Sequence, residues 1–392
     1  MSIIIREIEE HLKHVIIPFW LKLRDDTYGG FYGFMSNDLV LHKEAEKGCI
    51  LNSRILWFFS SAYTVLKDVK LLEAARHAYS FLLKHCLDKQ YGGVYWSVTY
   101  DGKPFDTMKH TYNQAFAVYA LSAYYEASKE EEAKNLALML FQCIETKCKD
   151  KTGYMEAFDQ SFQEIPNEAL SENNVLAHRT MNTALHLLEA YTELYKITRD
   201  DRVKGSLCEI LDIFVNQIYS QELARLDVFF DASYHTLIDL QSYGHDIEAS
   251  WLLDRAVEVL DLQEYRTKIS PVTAALTDSV YKRGYDGHSV LNECENGIVN
   301  GHRIWWIQAE SMVGFMNAYE KDATKREYLE AVEHIWDFCK TFLFDKRPGS
   351  EWFWEVDENG IPYKEREIAG PWKCPYHNGR MCIELIRRSK LQ

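Results

Sequence analysis

The chain has 392 residues and lacks the cysteine spacing of a disulfide framework or a zinc site. Its nine cysteines include no C-x-x-C pair, and they are scattered through apolar segments that look helical. Unpaired, scattered thiols are typical of a reducing compartment. Long apolar runs are missing as well, because charges follow only three apolar residues in MSIIIREIEE and no later segment could cross a bilayer. We therefore expect a cytoplasmic protein without a signal peptide.

Several motifs that would specify other chemistries are also absent. The sequence contains no G-x-G-x-x-G after a strand, no Walker loop, no G-x-S-x-G elbow and no H-E-x-x-H. The net charge is −15, and the lysines and arginines do not cluster. This balance argues against a nucleic-acid or anionic membrane surface. No cofactor, no metal, no nucleic acid and no membrane partner is expected.

Aromatic residues, in contrast, are abundant. Hydrophobic residues make up 47% and aromatic residues 14% of the chain, including 24 Tyr and 10 Trp. Most of these rings are expected in the core. Tyr and Trp also present a flat apolar face with a polar tip, which suits the binding of sugars. The composition therefore predicts a large core with aromatic side chains left over for a ligand.

A pattern of about 65 residues recurs along the chain. Gly- and aromatic-rich segments that resemble hairpins occur at 28–33, 91–98, 152–158, 227–234, 283–293 and 349–356. Between them, a charged amphipathic stretch alternates with a stretch that is apolar on nearly all sides, which predicts exposed and enclosed helices. An open solenoid would need capping repeats and a less apolar concave face. We predict an all-α (α/α)6 barrel of inner and outer helix rings, formed by a single catalytic domain over 1–392, with short β-hairpins at one rim.

Two histidine motifs, SYGHDIEASW and WKCPYHNGRM, begin two of the enclosed helices with His245 and His377. Histidine can take and give a proton near neutral pH. Although a lone histidine in an apolar helix is more often a satisfied core group, polar or aromatic residues recur at the same place in successive repeats. The first two turns of the enclosed helices carry Arg54, Tyr112, Asn113, Asn182, His186, His245, Glu248, Trp305, Trp306, His377, Asn378 and Arg380. We expect them to meet at one mouth of the barrel.

Glycoside hydrolysis is a second possible function. It needs two carboxylates that flank the bond to be cleaved. The candidates are Asp246, Glu248, Asp254 and Glu310. Only Glu248 is placed at the mouth by its position on a helix, and its near neighbour there is a histidine. The sequence therefore favours proton transfer over hydrolysis.

At these residues the chain resembles the N-acylglucosamine 2-epimerase superfamily, and within it the enzymes that act on disaccharides. The resemblance runs essentially end to end through KGCILNSRILWFFS, DTMKHTYNQAFAVYALSAYY, ALSEN, SYGHDIEASW, RIWWIQAE, EREIAGPWK and GPWKCPYHNGRMC. It implies an (α/α)6 barrel that works without a cofactor. It also implies reversible epimerisation at C2 of the reducing-end glucose of β-1,4-linked disaccharides, from cellobiose to glucosyl-mannose and from lactose to epilactose.

The resemblance also implies roles for individual residues. It marks His245 and His377 as the general acid/base pair, and Arg54 and His186 as holders of the O1 and O2 oxygens of a cis-enediolate. The residues that hydrogen-bond or stack on the sugar would be Tyr112, Asn182, Glu248, Trp306 and Trp372. Four alternatives stay open at this point: an aldose–ketose isomerase, a monosaccharide or N-acyl-hexosamine 2-epimerase, an (α/α)6 glycoside hydrolase, and a sugar-binding barrel without catalysis. A monomer is expected.

Overall fold

The structure is a computed structural model that describes residues 2–170, 173 and 175–390. Ser171 and Glu172 of the ALSEN segment lie outside the described residues. Among the described helices, none has the length and apolar character needed to span a membrane. All nine cysteines are free thiols, as their spacing predicts.

Six enclosed helices form the inner ring. They are α3 (Cys49–Leu66), α5 (Thr111–Ser128), α7 (Met181–Thr198), α9 (Tyr243–Leu260), α11 (Trp305–Lys321) and α13 (His377–Ser389). Each contacts the next, and α13 also contacts α3, so the ring closes. Their N-terminal halves are buried on nearly every face, which explains why the sequence shows no polar stripe there.

The charged amphipathic helices form the outer ring. They are α1 (Ser2–His11) with α2 (Ile17–Lys22), α4 (Val69–Phe81), α6 (Glu131–Lys147), α8 (Asp201–Ile213), α10 (Gln263–Arg283) and α12 (Arg326–Phe338). A π-helical turn joins α1 to α2 at Leu12–Ile16 and extends three others at Leu82–Cys86, Phe214–Ile218 and Cys339–Leu343. The predicted (α/α)6 architecture of inner and outer helices is confirmed.

Short strands line one rim, as predicted, but their pairing differs from a row of local hairpins. The strands are β1 (Lys47–Gly48), β2 (Ser97–Val98), β3 (Pro104–Asp106), β4 (Lys109–His110), β5 (Ala157–Phe158), β6 (Arg179–Thr180), β7 (Tyr219–Ser220), β8 (Arg225–Leu226), β9 (Phe229–Phe230), β10 (Leu240–Ser242), β11 (Glu293–Glu295), β12 (Ile298–Asn300), β13 (Arg303–Ile304) and β14 (Glu355–Val356). The strand that enters an inner helix pairs with a strand of the following repeat: β1 with β2, β4 with β5, β6 with β9, β10 with β11, and β13 with β14. A bridge between Met35 and Ala369 connects the last repeat to the first. The rim thus ties successive repeats together.

A polar side chain on the first turn of four inner helices holds a rim segment in place. The fourth residue of each of these helices accepts a backbone N–H from the segment beside it. The pairs are Asn52 with Phe31 at 2.9 Å, Gln114 with Val94 at 2.7 Å, Asp246 with Leu226 at 2.9 Å and Gln308 with Val290 at 2.9 Å. Because buried backbone donors need partners, these bonds fix the rim relative to the inner helices and therefore position the residues between them.

Candidate active site

The N-terminal ends of the six inner helices point into one mouth of the barrel. All the predicted site residues on these helices lie within their first two turns. Helix N-termini carry partial positive charge, which favours an anion at this place. The mouth therefore gathers residues from all six repeats in an environment that suits developing negative charge.

His245 is the third residue of α9 and lies half-buried at the mouth. Its Nδ1 is 2.8 Å from the hydroxyl of Ser242, and its ring centroid lies 4.8 Å from that of Trp306. Gly244 is required here, because a Cβ at that position would lie 2.5 Å from the Trp306 ring. Burial lowers the pKa of His245 to about 3, and the imidazole is therefore uncharged near neutral pH.

His377 begins α13 and approaches the same indole from another helix. Its ring centroid lies 5.3 Å from that of Trp306, and its Nδ1 is 2.8 Å from Oε1 of Glu310. Burial, with the charge of Arg380 as a second cause, holds the pKa of His377 well below its ordinary value. In both imidazoles Nδ1 is held by the protein, which leaves Nε2 as the nitrogen available to a substrate.

A buried charge network lies beneath the two imidazoles. The Arg380 guanidinium donates to Glu189, to Glu248 and, at 2.6 Å, to Oε1 of Glu310. Burial raises the pKa of Glu248 and of Glu310 to about 7 in each case. Burial also opposes ionisation of Glu189, but the Arg380 charge and the hydrogen bond from His186 outweigh it and lower its pKa to about 2. Arg380 therefore binds one carboxylate with a lowered pKa, that of Glu189, and two with raised pKa values, those of Glu248 and Glu310.

This network corrects one expectation from the sequence. Glu248 does have a second acid as its neighbour, because Glu310 shares Arg380 with it. Both oxygens of Glu310 are already engaged, Oε1 by His377 and Arg380 and Oε2 by Trp251 at 3.1 Å. A glycosidase needs carboxylates that are free to reach the bond between two sugars. The second acid thus supports a histidine and is not free to attack a sugar.

Asp246 and Asp254, the other two candidate carboxylates for glycoside hydrolysis, have different surroundings. Asp246 accepts the backbone N–H of Leu226 and holds the rim. Asp254 pairs with Lys321 at 2.7 Å on the C-terminal half of α9, far along the helix from the mouth.

Arg54, Tyr112 and His186 form a second cluster of the site. The Arg54 guanidinium donates to the Tyr112 hydroxyl at 2.6 Å and lies 4.1 Å from the Phe116 ring centroid. The His186 ring packs edge-on against Tyr112, and its Nδ1 is 3.1 Å from Glu189. Burial raises the pKa of Tyr112, so the phenol stays protonated. The three side chains together can present a guanidinium, a hydroxyl and an imidazole Nε2 to oxygen atoms of a ligand.

Half-buried indoles and several buried polar atoms without a hydrogen-bond partner, among them Nε of Arg54, complete the described part of the mouth. Trp306 lies beside both imidazoles, and Trp372 lies 6.0 Å from the Tyr112 ring. Within the described part of the chain, Oδ1 of Asn182 and Oε2 of Glu248 are buried without a hydrogen-bond partner. Unpaired buried oxygens are rare and call for an explanation. A polyhydroxylated ligand would satisfy both.

Three predicted mouth residues have structural contacts instead. The Asn113 amide donates to the Tyr95 carbonyl at 2.8 Å, and Asn378 donates to Glu351 at 2.6 Å. Trp305 is buried, with its ring centroid 4.8 Å from that of Trp354. These contacts are structural and hold the segments that surround the mouth.

One group of side chains has the spacing of a metal site. Ligand atoms of Glu248, Glu310 and His377 lie within 4.8 Å of one another, and no other such group occurs in residues 2–170, 173 and 175–390. Arg380 donates to both carboxylates of the group. A cation placed there would face the guanidinium charge at close range, so these residues fit the arginine better than a metal ion.

Sequence reasoning undervalued Glu310 and did not identify Glu189, Trp251 or Ser242. A signal for Glu310 was present in the register of the repeats. The sixth residues of five inner helices are Arg54, Phe116, His186, Glu248 and Glu310, so Glu310 occupies the position of three predicted site residues. Glu189 and Trp251 share the ninth position of their helices and showed no comparable pattern of polar residues.

Comparisons with known proteins are consistent with this arrangement. The sequence model of the N-acylglucosamine 2-epimerase (GlcNAc 2-epimerase) family matches residues 14–379. The chain is 50% identical to a cellobiose 2-epimerase of Eubacterium cellulosolvens, with 96% of this chain and 97% of that protein covered. Among solved structures it is similar to a cellobiose 2-epimerase from Bacillus thermoamylovorans, with a TM-score of 0.95, 46% identity and coverage of 99% and 100% of the two chains. A sugar epimerase from a ruminal bacterium gives a TM-score of 0.97 at 47% identity, covering 98% of this chain and 99% of that one.

Proposed function

This chain belongs to the N-acylglucosamine 2-epimerase family and is an isomerase, and from that premise we propose that it epimerises C2 of the reducing-end glucose of β-1,4-linked disaccharides. Cellobiose would become glucosyl-mannose, and lactose would become epilactose. We further propose that the chain acts as a single catalytic domain, a cytoplasmic monomer without a cofactor. The names of the relatives that match nearly the whole chain support cellobiose as substrate.

The observation that carries the proposal is the position of two imidazoles around one indole. His245 and His377 come from different inner helices, and their ring centroids lie 4.8 and 5.3 Å from that of Trp306. Each holds Nδ1 in a protein hydrogen bond and keeps Nε2 free for a proton. A sugar stacked on the indole would lie close to both imidazoles, and inversion of one carbon requires that they act on its opposite faces.

The reaction follows from these residues in three steps. The pyranose first opens, with a proton given to the ring oxygen and one removed from the C1 hydroxyl. One imidazole then takes the C2 proton, the C–H electrons form the C1–C2 double bond, and a cis-enediolate is left. The second imidazole, which has taken a proton from solvent, gives it to the opposite face of C2; the electrons of the C1–C2 double bond form the new C–H bond, the C1 carbonyl re-forms, and the ring closes. General acid–base catalysis of this kind contributes roughly 10²–10⁴-fold.

Arg54 and His186 would stabilise the charge that develops on O1 and O2. The Arg54 guanidinium is buried and lies beside Tyr112 and Trp372, so little water screens its charge. Donors oriented in advance toward a developing oxyanion are usually a large part of catalysis. Tyr112, Asn182 and Glu248 would hydrogen-bond the reducing-end sugar, with Trp306 and Trp372 stacked on the rings.

Return of the proton to C1 in place of C2 would give the ketose. The enediolate is common to both products, so a slow aldose–ketose isomerisation is a second candidate activity at the same site. A monosaccharide or N-acyl-hexosamine 2-epimerase would use the same imidazoles on a smaller or acylated sugar.

One incubation separates these alternatives. The protein is incubated with cellobiose in deuterated water, with lactose, glucose and N-acetylglucosamine in parallel, and the products are analysed by NMR. We expect glucosyl-mannose with deuterium at C2, and faster turnover of the two disaccharides than of the single sugars. Free glucose released from cellobiose would indicate a hydrolase and contradict the proposal, as would binding of cellobiose without turnover.

A further inference from the structure

The three site histidines differ in the partner that holds Nδ1. His186 and His377 each face a carboxylate, Glu189 at 3.1 Å and Glu310 at 2.8 Å. His245 faces the neutral hydroxyl of Ser242 at 2.8 Å. An ionised carboxylate only accepts hydrogen bonds and stabilises an imidazolium, whereas a hydroxyl both donates and accepts and carries no charge. The partner of His245 is therefore chemically distinct.

Ser242 occupies the N-cap position of α9 but makes no side-chain cap bond. Serine is favoured at this position because its oxygen usually accepts a backbone N–H of the first turn. Two other inner helices do use their caps: Thr180 accepts the N–H of Thr183 at 3.0 Å, and His110 accepts the N–H of Tyr112 at 3.2 Å. The Ser242 hydroxyl is directed instead to the ring of His245, three residues further along.

We propose that Ser242 is a positioning residue for His245, an inference that rests on the proposed epimerase function. Its hydroxyl orients the imidazole so that Nε2 faces C2 of the sugar. Because the hydroxyl is neutral, the imidazolium that forms when His245 takes a proton has no counter-ion at Nδ1. The proton is held weakly and returns readily to a carbon or to solvent.

Two titratable groups on neighbouring elements act on His245 together with Ser242, and two carboxyl groups lie near it in the chain or the ladder. His186 on α7 and His377 on α13 both interact with it electrostatically. Glu293 lies opposite Ser242 in the β10–β11 ladder, and Glu248 follows His245 by three residues on α9. A change at Ser242 leaves these groups in place, so its effect can be read against a constant background.

The test uses four variants of the full chain with cellobiose as substrate. Ser242→Ala removes the hydroxyl, Ser242→Thr keeps it, and Ser242→Asp replaces it with a carboxylate. Ser250→Ala is the matched control, because Ser250 lies buried on the same helix and its hydroxyl donates to the Ile247 carbonyl at 2.7 Å. The kcat and KM values are measured over a range of pH, with the melting temperature as a check on folding.

We expect Ser242→Ala to lower kcat about tenfold or more while KM stays nearly constant, since general acid–base groups contribute roughly 10²–10⁴-fold. Ser242→Thr should recover most of the lost kcat, and Ser250→Ala should match the wild type. Ser242→Asp should move the acid limb of the kcat profile upward by about 1 pH unit or more, because an adjacent negative charge stabilises the imidazolium.

If the wild type epimerises cellobiose and the Ser242→Ala variant has the same kcat, the proposed role of Ser242 is wrong and the proposed function stands. A Ser242→Asp profile that superimposes on that of the wild type would overturn the role of Ser242 too. A wild-type protein that does not epimerise cellobiose would overturn the proposed function itself.

Discussion

The two ends of the inner helices differ in how their charged groups are arranged. At the C-terminal ends lies a cavity of about 1380 Å³, in which opposite charges pair with one another. Lys196 bonds to Glu126 at 2.7 Å and Glu193 at 3.0 Å, and Lys321 bonds to Asp254 at 2.7 Å. At the N-terminal ends, uncharged imidazoles and indoles lie above one arginine that holds three acids.

Helix polarity explains the difference. The C-terminal ends of helices carry partial negative charge and favour cations such as Lys196 and Arg387, whereas the N-terminal ends favour anions. An enediolate would be stabilised at the mouth and destabilised at the opposite end. Glu189 contacts both regions, because it lines the cavity and also binds Arg380. The comparison predicts that substitutions at the mouth affect catalysis strongly and those at the opposite end hardly at all.

The largest effect is expected from the imidazoles themselves. His245→Ala and His377→Ala should each fold and lose epimerisation by at least about 10²–10⁴-fold in kcat, because each removes one acid/base group. The rate is measured by NMR of the cellobiose products. His235→Ala is the control, since its side chain is 79% exposed and pairs with Asp231. Near wild-type turnover in either site variant would remove that residue from the mechanism.

The next effect concerns the network beneath the imidazoles. Arg380→Met leaves Glu189, Glu248 and Glu310 without their shared donor in a buried place, and breaking a buried pair of this kind costs about 3–5 kcal/mol. We expect the free energy of unfolding in urea to fall by about that amount and activity to be lost. An unchanged unfolding free energy would show that the three acids do not depend on Arg380.

The pH dependence of stability should show the raised pKa of Glu310. In the folded state burial raises this pKa from 4.5 to about 7, so the native protein binds the proton more tightly than the unfolded chain between these values. The contribution of Glu310 to stability is therefore present below pH 4.5 and is lost as the pH rises through 7. The loss is on the order of 1–3 kcal/mol.

Glu310→Gln tests this directly, because the amide does not titrate. The difference in unfolding free energy between wild type and variant should decline from pH 4.5 to 7, and a Glu44→Gln variant, changed at an exposed position, is measured beside it as the control. A constant difference across this range would mean that the Glu310 pKa is not raised.

The smallest effect is expected at the opposite end of the barrel. Lys321 pairs with Asp254, but its side chain is 39% exposed, and such pairs contribute about 0–1 kcal/mol. Lys321→Ala should leave kcat and KM for cellobiose unchanged and lower the unfolding free energy by no more than about 1 kcal/mol. A marked loss of activity would contradict the division between the two ends.

Much of this arrangement could be predicted from the sequence because it depends on local periodicity. The alternation of charged and apolar helices predicted both rings, and the recurrence of polar residues such as Arg54, His186 and His245 in the first two turns of the enclosed helices predicted one mouth. Pairing between repeats could not be predicted, since β1 and β2 are about 50 residues apart and each has only two residues. The role of Glu310 also depends on an arginine 70 positions away. Contacts of this kind leave no signal in a single sequence.

The proposed mechanism requires two imidazoles that act on opposite faces of one carbon. Its most direct test is the initial phase of cellobiose conversion in deuterated water, stopped early and analysed at C2 by NMR. If His245 and His377 act in turn, nearly every glucosyl-mannose molecule carries deuterium at C2, while the remaining cellobiose keeps its protium. Product that retains the original C2 protium would mean that a single base moves the proton from one face of C2 to the other. That result would contradict a mechanism with two opposed imidazoles.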